Sequence, residues 1–225
     1  MASMPNYTIL NSPNNLLCYN KSMYIVIEGQ DGTGKSTQVE LFAEYFRKQG
    51  KKVITLHEPD GDLKSAHALR DIIKDKTYDL CPLTHVLLFT AARFELWKKL
   101  AEPVLREGGV VISARNWWST LAYQGYGQGV SKSKIARMTK STMPEPYINP
   151  THSVILTLDD KIRLEREHSR DDNSKNDTFE SKPNDFQQTV NHAYEKIAKE
   201  FNIKTLDASA SIEEVFAKLK ELFEV

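Results

Sequence analysis

Apolar and polar positions along the chain follow two alternating periods. Short runs rich in apolar and β-branched residues at 23–27, 53–57, 110–112, 152–158 and 203–206 read as strands, the third of the fully buried parallel type. Between them lie stretches whose apolar side chains recur every three or four residues. Val39, Leu41, Phe42, Tyr45 and Phe46 predict a helix over 37–49, and Val86, Leu87, Phe89, Ala91, Phe94 and Trp97 predict one over 83–106. Further helices are expected over 62–74, around 135–138, over 186–201 and over 212–223. Residues 76–82 read as a loop, and Pro144, Pro146 and Pro150 mark a rigid connection ahead of the fourth strand. Strands alternating with helices predict right-handed crossovers. The fold class expected is therefore α/β, a five-stranded parallel sheet with helices on both faces.

Two stretches depart from the pattern. Residues 1–22 hold Pro5, Pro13 and five asparagines with little periodicity. They read as an N-terminal extension, either disordered or adding an edge strand around 7–10, and the domain then runs over 23–225. Residues 161–182 are charged and nearly free of large apolar side chains. A lid of about 160–182 is one reading, and a solvated helix and loop is the other.

Composition narrows the classes. At 225 residues one domain is expected, and 30 Lys+Arg against 30 Asp+Glu draw the surface as a whole toward neither nucleic acid nor anionic membrane. Cys18 and Cys81 have no C-x-x-C spacing, which speaks against a disulfide framework or a zinc site and fits a reducing cytoplasm. No apolar run approaches the ~20 residues that span a bilayer, and no export signal is read at the start.

Gly29-Gln30-Asp31-Gly32-Thr33-Gly34-Lys35-Ser36 follows the first strand and opens the first helix. This is a P-loop in the context that the motif requires. Gly29, Gly32 and Gly34 let successive N–H groups turn toward phosphate oxygens, Lys35 adds a cation, Ser36 offers a hydroxyl to Mg²⁺, and Thr37 continues into the helix. The absence of an [NT]-K-x-D run disfavours a GTPase. Other candidate chemistry lies at the carboxyl ends of later strands, where open α/β sheets place ligand contacts. Glu58-Pro59-Asp60-Gly61 is either such a contact or a plain turn. Arg93, inside an apolar helical face, is either an anion or base reader or half of an internal ion pair. Arg115 could fork onto a phosphate, with Tyr123 and Gln124 supplying an aromatic face and an amide; Trp117 and Trp118 read as packing.

Taken together these residues resemble the thymidylate kinases, which move the γ-phosphoryl group of ATP to dTMP. The resemblance runs through most of 23–224 and rests on Ile27-Glu28-Gly29 through Thr37-Gln38, Glu58-Pro59, Leu88-Phe89-Thr90-Ala91-Ala92-Arg93, Ser119-Thr120-Leu121-Ala122-Tyr123-Gln124-Gly125 and a lid motif at Asp177-Thr178-Phe179-Glu180. It implies that Phe89 stacks on the base, that Arg93, Thr120 and Gln124 lie beside it, and that Tyr123 sits under the sugar. It also implies that Asp31 and Glu58 stand near the acceptor, with Asp177 and Glu180 of the lid, and that Arg115 grips its phosphate. Gly32 resembles the bacterial subtype, whose lid supplies the cation, making Arg166 and Arg170 the candidates beside Lys35 and Arg115. Mg²⁺ as cofactor, a cytoplasmic location and a homodimer formed through 62–107 belong to the same resemblance.

The chain departs from the family pattern at Ala114-Arg115-Asn116, where an aspartate precedes the arginine, and at His57, Asp60 and Thr178. Three readings are then open: a dTMP kinase whose Mg²⁺ is held by Ser36, phosphates and water; a kinase for another pyrimidine deoxynucleoside monophosphate such as dUMP; or a weakly active or inactive relative. A nucleotide-responsive binding module is the reading from outside enzymology, and the acceptor-like set Phe89, Arg93, Arg115 and Tyr123 argues against it.

Overall fold

Strand β1 (Met23–Gly29) is buried along nearly its whole length, and its alternating side chains enter two separate cores. Tyr24 and Val26 enter one, Ile25 and Ile27 the other, as a strand covered on both faces requires. The remaining strands are β2 (Val53–His57), β3 (Val110–Ala114), β4 (His152–Thr157) and β5 (Lys204–Asp207). In the computed structural model, which describes residues 22–168, 179 and 182–225, they form one parallel sheet in the order β2-β3-β1-β4-β5. Ile27 lies opposite Ala114 on one side of β1, and Gly29 lies opposite Leu156 on the other. The connection out of β1 runs across β3 to β2, whereas that out of β3 runs the other way across β1 to β4; their divergence opens a crevice at the carboxyl ends of β1 and β3. The extension over 1–21 lies outside the described residues.

Among the described residues the α-helical segments are, in chain order, α1 (Lys35–Lys48), α2 (Lys64–Lys74), α3 (Pro82–Leu96), α4 (Glu102–Arg106), α5 (Trp117–Thr120), α6 (Lys132–Thr142), α7 (Glu145–Ile148), α8 (Asp160–His168), α9 (Asn184–Glu200) and α10 (Ile212–Phe223). Phe42 and Phe46 of α1 pack with Leu219 and Phe223 of α10 against the Ile25 and Ile27 face. The opposite core takes residues from α3, α4, α5, α6, α7 and α9. There Tyr24, Trp97 and Tyr147 form an aromatic triangle with ring centroids 5.3 to 5.9 Å apart. Ser211 caps α10 and Glu214 returns the bond, so two of that helix's orphan N–H groups are satisfied.

The helix expected over 83–106 is three pieces. Between α3 and α4 the backbone widens into a π turn at Trp97–Ala101, where the Glu102 N–H reaches back five residues to the Trp97 carbonyl. Pro103 supplies the reason: it cannot donate within the regular ladder, and its ring crowds the preceding turn. A second π turn, Leu121–Gly127, follows α5 directly and buries five consecutive residues from Leu121 to Gly125. The proline-marked connection holds the short α7, with Pro146 in its first turn, where a missing N–H costs nothing. Trp117 and Trp118 are buried against Phe201, as packing residues should be.

Gly109, between α4 and β3, is a point of close approach. A Cβ there would lie 2.6 Å from Val104 Cγ1 and 2.8 Å from the Lys52 carbonyl oxygen. Gly109→Ala is expected to destabilise the domain by about 1–3 kcal/mol, lowering the urea midpoint at unchanged m. An unaltered midpoint would show that this turn can relax.

Candidate active site

The P-loop glycines have backbone conformations that residues with a side chain rarely adopt. Gly29, Gly32 and Gly34 have φ of 138°, 85° and 87°, and a Cβ on Gly29 would come within 2.5 Å of the Leu156 carbonyl oxygen. The loop folds around one acceptor, the Gln30 carbonyl oxygen. It receives the Thr33 hydroxyl at 2.8 Å and the buried Lys35 ammonium at 2.7 Å. Lys35 also lies 3.7 Å from Asp31 Oδ1. In front of the loop is a cavity of about 200 Å³, lined by Gly32, Gly34, Lys35, Ser36 and Thr37 and by His57, Asp60 and Ala114 from the neighbouring strand ends.

A second cleft of about 110 Å³ opens alongside. Phe89, Tyr123, Pro59 and Phe179 make its apolar part, while Arg93 and Gln124 bring polar groups to it. The two cavities share four residues, Asp31, Glu58, Arg70 and Arg115. Two guanidiniums and two carboxylates thus stand between a phosphate-binding loop and an aromatic cleft. Arg70, on α2, has no motif around it and nothing in the sequence marks it. It pairs with Asp60 Oδ2 at 2.8 Å, and His67 Nδ1 sits 2.9 Å from the other Asp60 oxygen. His57 faces Glu40 at 3.6 Å.

Arg115 has φ of 77°, a conformation an arginine enters only when its surroundings hold it there. Its N–H donates to the Ile27 carbonyl at 3.0 Å. Beyond it, the fully buried Glu28 carboxylate receives the N–H groups of Asn116 at 2.7 Å and Ser119 at 3.1 Å, the Ser119 hydroxyl at 2.8 Å and the Tyr194 hydroxyl at 3.1 Å. Asn116 caps α5 through the Trp118 N–H. The Arg115 guanidinium then reaches Ser119 Oγ at 3.1 Å, the Gly29 carbonyl at 3.3 Å and Asp31, and lies 5.5 Å from the Tyr123 ring centroid. Glu28 and Tyr194 are site residues that sequence reasoning misses. Glu28 stands in the run that carries the resemblance but is given no role by it, nothing local marks Tyr194, and the two meet across 166 positions of sequence.

Arg93 is half of an internal ion pair, and it also faces the cleft. Its Nε pairs with Glu58 Oε2 at 3.0 Å and its Nη1 donates to Thr120 Oγ1 at 2.7 Å, yet it still lines the cleft, with the Phe89 ring centroid 5.3 Å away. Glu58 follows β2 and also accepts from Tyr147 at 2.8 Å and Tyr24 at 3.4 Å. Burial pushes its carboxyl up to about 7 against the opposing pull of Arg93 and the Tyr147 hydroxyl. Gln124 is buried beside the cleft and its Nε2 has no partner among the described residues. Arg166 lies on α8 and lines neither cavity, whereas Arg163 on the same helix is buried, 3.5 Å from Asp160. Arg170, Asp177, Thr178 and Glu180 fall outside the described residues.

Comparison with known proteins identifies the family to which the chain belongs. A family model described as thymidylate kinase matches residues 27–219. A thymidylate kinase of Caldicellulosiruptor saccharolyticus is 33% identical over 205 residues, spanning 91% of this chain and 97% of its own. One from Dehalococcoides mccartyi is 34% identical over 203 residues, spanning 89% and 94%. The crystal structure of thymidylate kinase from Ehrlichia chaffeensis superposes with a TM-score of 0.71 at 27% identity, covering 89% of this chain and 98% of that one.

The raised Glu58 carboxyl has a measurable sign. Between pH about 4.5 and about 7 the folded protein keeps a proton that the unfolded chain has lost, so this group's contribution to stability declines as pH rises through that window. Glu58→Gln should remove that decline. Urea unfolding at about pH 5 and about pH 8 is expected to show wild type losing more stability than the variant over the interval. Parallel profiles would show that Glu58 titrates in the ordinary carboxylate range.

Proposed function

From the chain's membership of the thymidylate kinase family, we propose that it transfers the γ-phosphoryl group of ATP to dTMP, giving dTDP. The observation that carries this reading is the wall of Asp31, Glu58, Arg70 and Arg115 common to the P-loop cavity and the aromatic cleft. A kinase for a nucleoside monophosphate needs two anions brought end to end with water excluded. A nucleotide switch has no use for the second cleft.

In this reading the P-loop N–H groups and Lys35 hold the donor phosphates, with Gly29 through Thr37 as the ATP site. Arg115 and Arg70 hold the acceptor phosphate in line with them. Asp31, between Lys35 and Arg115, keeps the two cations apart and oriented. The attacking oxygen belongs to a phosphate that is already ionised, so the chain supplies positioning and charge and needs no nucleophile of its own. Phe89 stacks on thymine, Arg93, Thr120 and Gln124 meet its polar edge, and Tyr123 lies under the sugar where a 2′-hydroxyl would intrude. Arg166 and Arg170, with Asp177 and Glu180, act from the lid.

Mg²⁺ fits the donor set. Among the described residues no group of three His, Cys, Asp or Glu could cage a metal, and Ser36 lines the cavity with a single hydroxyl. Mg²⁺ retains water and phosphate ligands and asks little more of a protein. When bound it neutralises charge on the donor phosphates. The cytoplasmic location is carried over from the family; among the described residues no helix is long and apolar enough to cross a membrane. A homodimer would cover the stripe of Leu87, Ala91 and Phe94 on α3, where Leu87 is 53% and Phe94 38% exposed.

A coupled ADP-release assay across dTMP, dUMP, dCMP, UMP and dGMP tests the reading. Turnover is expected on dTMP, and Lys35→Ala and Arg115→Ala should each reduce it by at least about 100-fold. Turnover chiefly on another pyrimidine would move His57 and Asp60, which line the P-loop cavity, to the centre of specificity. A second expectation concerns Ala114, which faces that cavity together with Ser36: Ala114→Asp should lower the Mg²⁺ concentration giving half-maximal rate. An unshifted Mg²⁺ titration would show that the metal draws nothing from this position.

A further inference from the structure

The P-loop and the aromatic cleft are joined by a second route that the transfer chemistry does not use. Gln30 sits in the P-loop, 2% exposed, with its side chain turned away from the phosphate cavity toward the first turn of α9. Its Nε2 donates to the side-chain oxygen of Gln187 at 2.9 Å and to the Gln187 backbone carbonyl at 3.0 Å. The other end of the Gln187 amide donates to the Phe179 carbonyl at 2.7 Å. Phe179 is itself a wall of the aromatic cleft, with its ring centroid 5.9 Å from Phe89, 6.1 Å from Tyr123 and 5.2 Å from His85.

At the other end of this chain of bonds, the Gln30 backbone carbonyl is the atom that holds Lys35 and Thr33. A single residue therefore presents its carbonyl to the P-loop cation and its side chain to Gln187, and Gln187 passes the connection to the cleft wall. The path consists of three directed hydrogen bonds, and a side-chain amide suits its middle because it accepts from Gln30 through one atom while donating to Phe179 through another. Such a path couples two sites because displacing Lys35 toward a phosphate alters the partners of Gln30, and moving Phe179 against a base alters the partners of Gln187.

We propose that Gln187 is a positioning residue that couples the two nucleotide sites, so that the donor bound at the P-loop raises affinity for the monophosphate in the aromatic cleft, and the reverse by the same factor. This rests on the reading of those cavities as ATP and dTMP sites. Gln187 lines neither cavity.

The test is a pair of titrations by calorimetry on the full chain: dTMP alone, and dTMP in the presence of Mg²⁺ and a non-hydrolysable ATP analogue. Wild type is expected to bind dTMP at least about fivefold more tightly with the analogue present. In Gln187→Ala, a change that favours the helix it lies in, the two dTMP affinities should become equal while binding of each ligand alone persists. Gln187→Glu keeps an oxygen for Gln30 and loses the donor to Phe179, so it too should abolish the coupling. Tightening by the analogue that survives in either variant overturns the relay, as does its absence from wild type. A wild type that binds the analogue but no pyrimidine monophosphate would overturn the functional reading, and the proposal with it.

Discussion

The site depends on one buried carboxylate. Glu28 ends in a position with no solvent, where an isolated charge costs many kcal/mol and only full hydrogen bonding makes it tolerable. Two backbone N–H groups and two hydroxyls from β3–α5 and α9 meet that demand. In doing so they clamp two separate parts of the chain, the β3–α5 connection and α9, to the end of β1. The left-handed backbone at Arg115, the cap of α5 and the placement of Tyr194 all serve to satisfy that anion. Arg115 is consequently aimed at Asp31, and the P-loop and acceptor cleft acquire their common wall.

A second buried anion repeats the device with a different balance. Glu58 is held by Arg93 and two tyrosine hydroxyls, without backbone donors. Burial lifts its carboxyl to about 7 against the pull of Arg93 and the Tyr147 hydroxyl. One carboxylate therefore clamps the backbone of the β3–α5 connection, and the other supports the arginine that lines the aromatic cleft. Both sit at strand ends, where the sheet delivers side chains to the crevice and helix packing excludes water from behind.

The central strands and most helices are legible in the sequence because burial on two faces writes an uninterrupted apolar run, as in β1 and β3, and burial on one writes a period of three to four; the edge strand β5 is largely exposed and shows only as a short run between helices. The P-loop is legible because its glycines, lysine and serine each answer to a local requirement. The features that escape a reading of the sequence are non-local. Arg70 lies in an ordinary amphipathic helix, and only the folded chain brings it to Asp60 and the shared wall. Tyr194 looks like one more aromatic of α9 until its hydroxyl is seen beside Glu28. The helix over 83–106 is legible in extent yet not in regularity, because Pro103 acts on the turn before it. Arg93 can be read from sequence as a ligand contact or an ion-pair partner, and the geometry makes those roles compatible.

The widened turn at Leu121–Gly127 makes chain length itself part of recognition. Tyr123 and Gln124 reach the cleft from a segment holding one residue more per turn than an α-helix. A deletion early in 121–127 that restored the regular ladder would rotate the residues beyond it by roughly 100°, sending the aromatic and the amide away from the cleft. Drift in this family member can therefore exchange side chains along the segment far more freely than it can add or drop a position. An alignment gap there would signal a change of ligand before any substitution did.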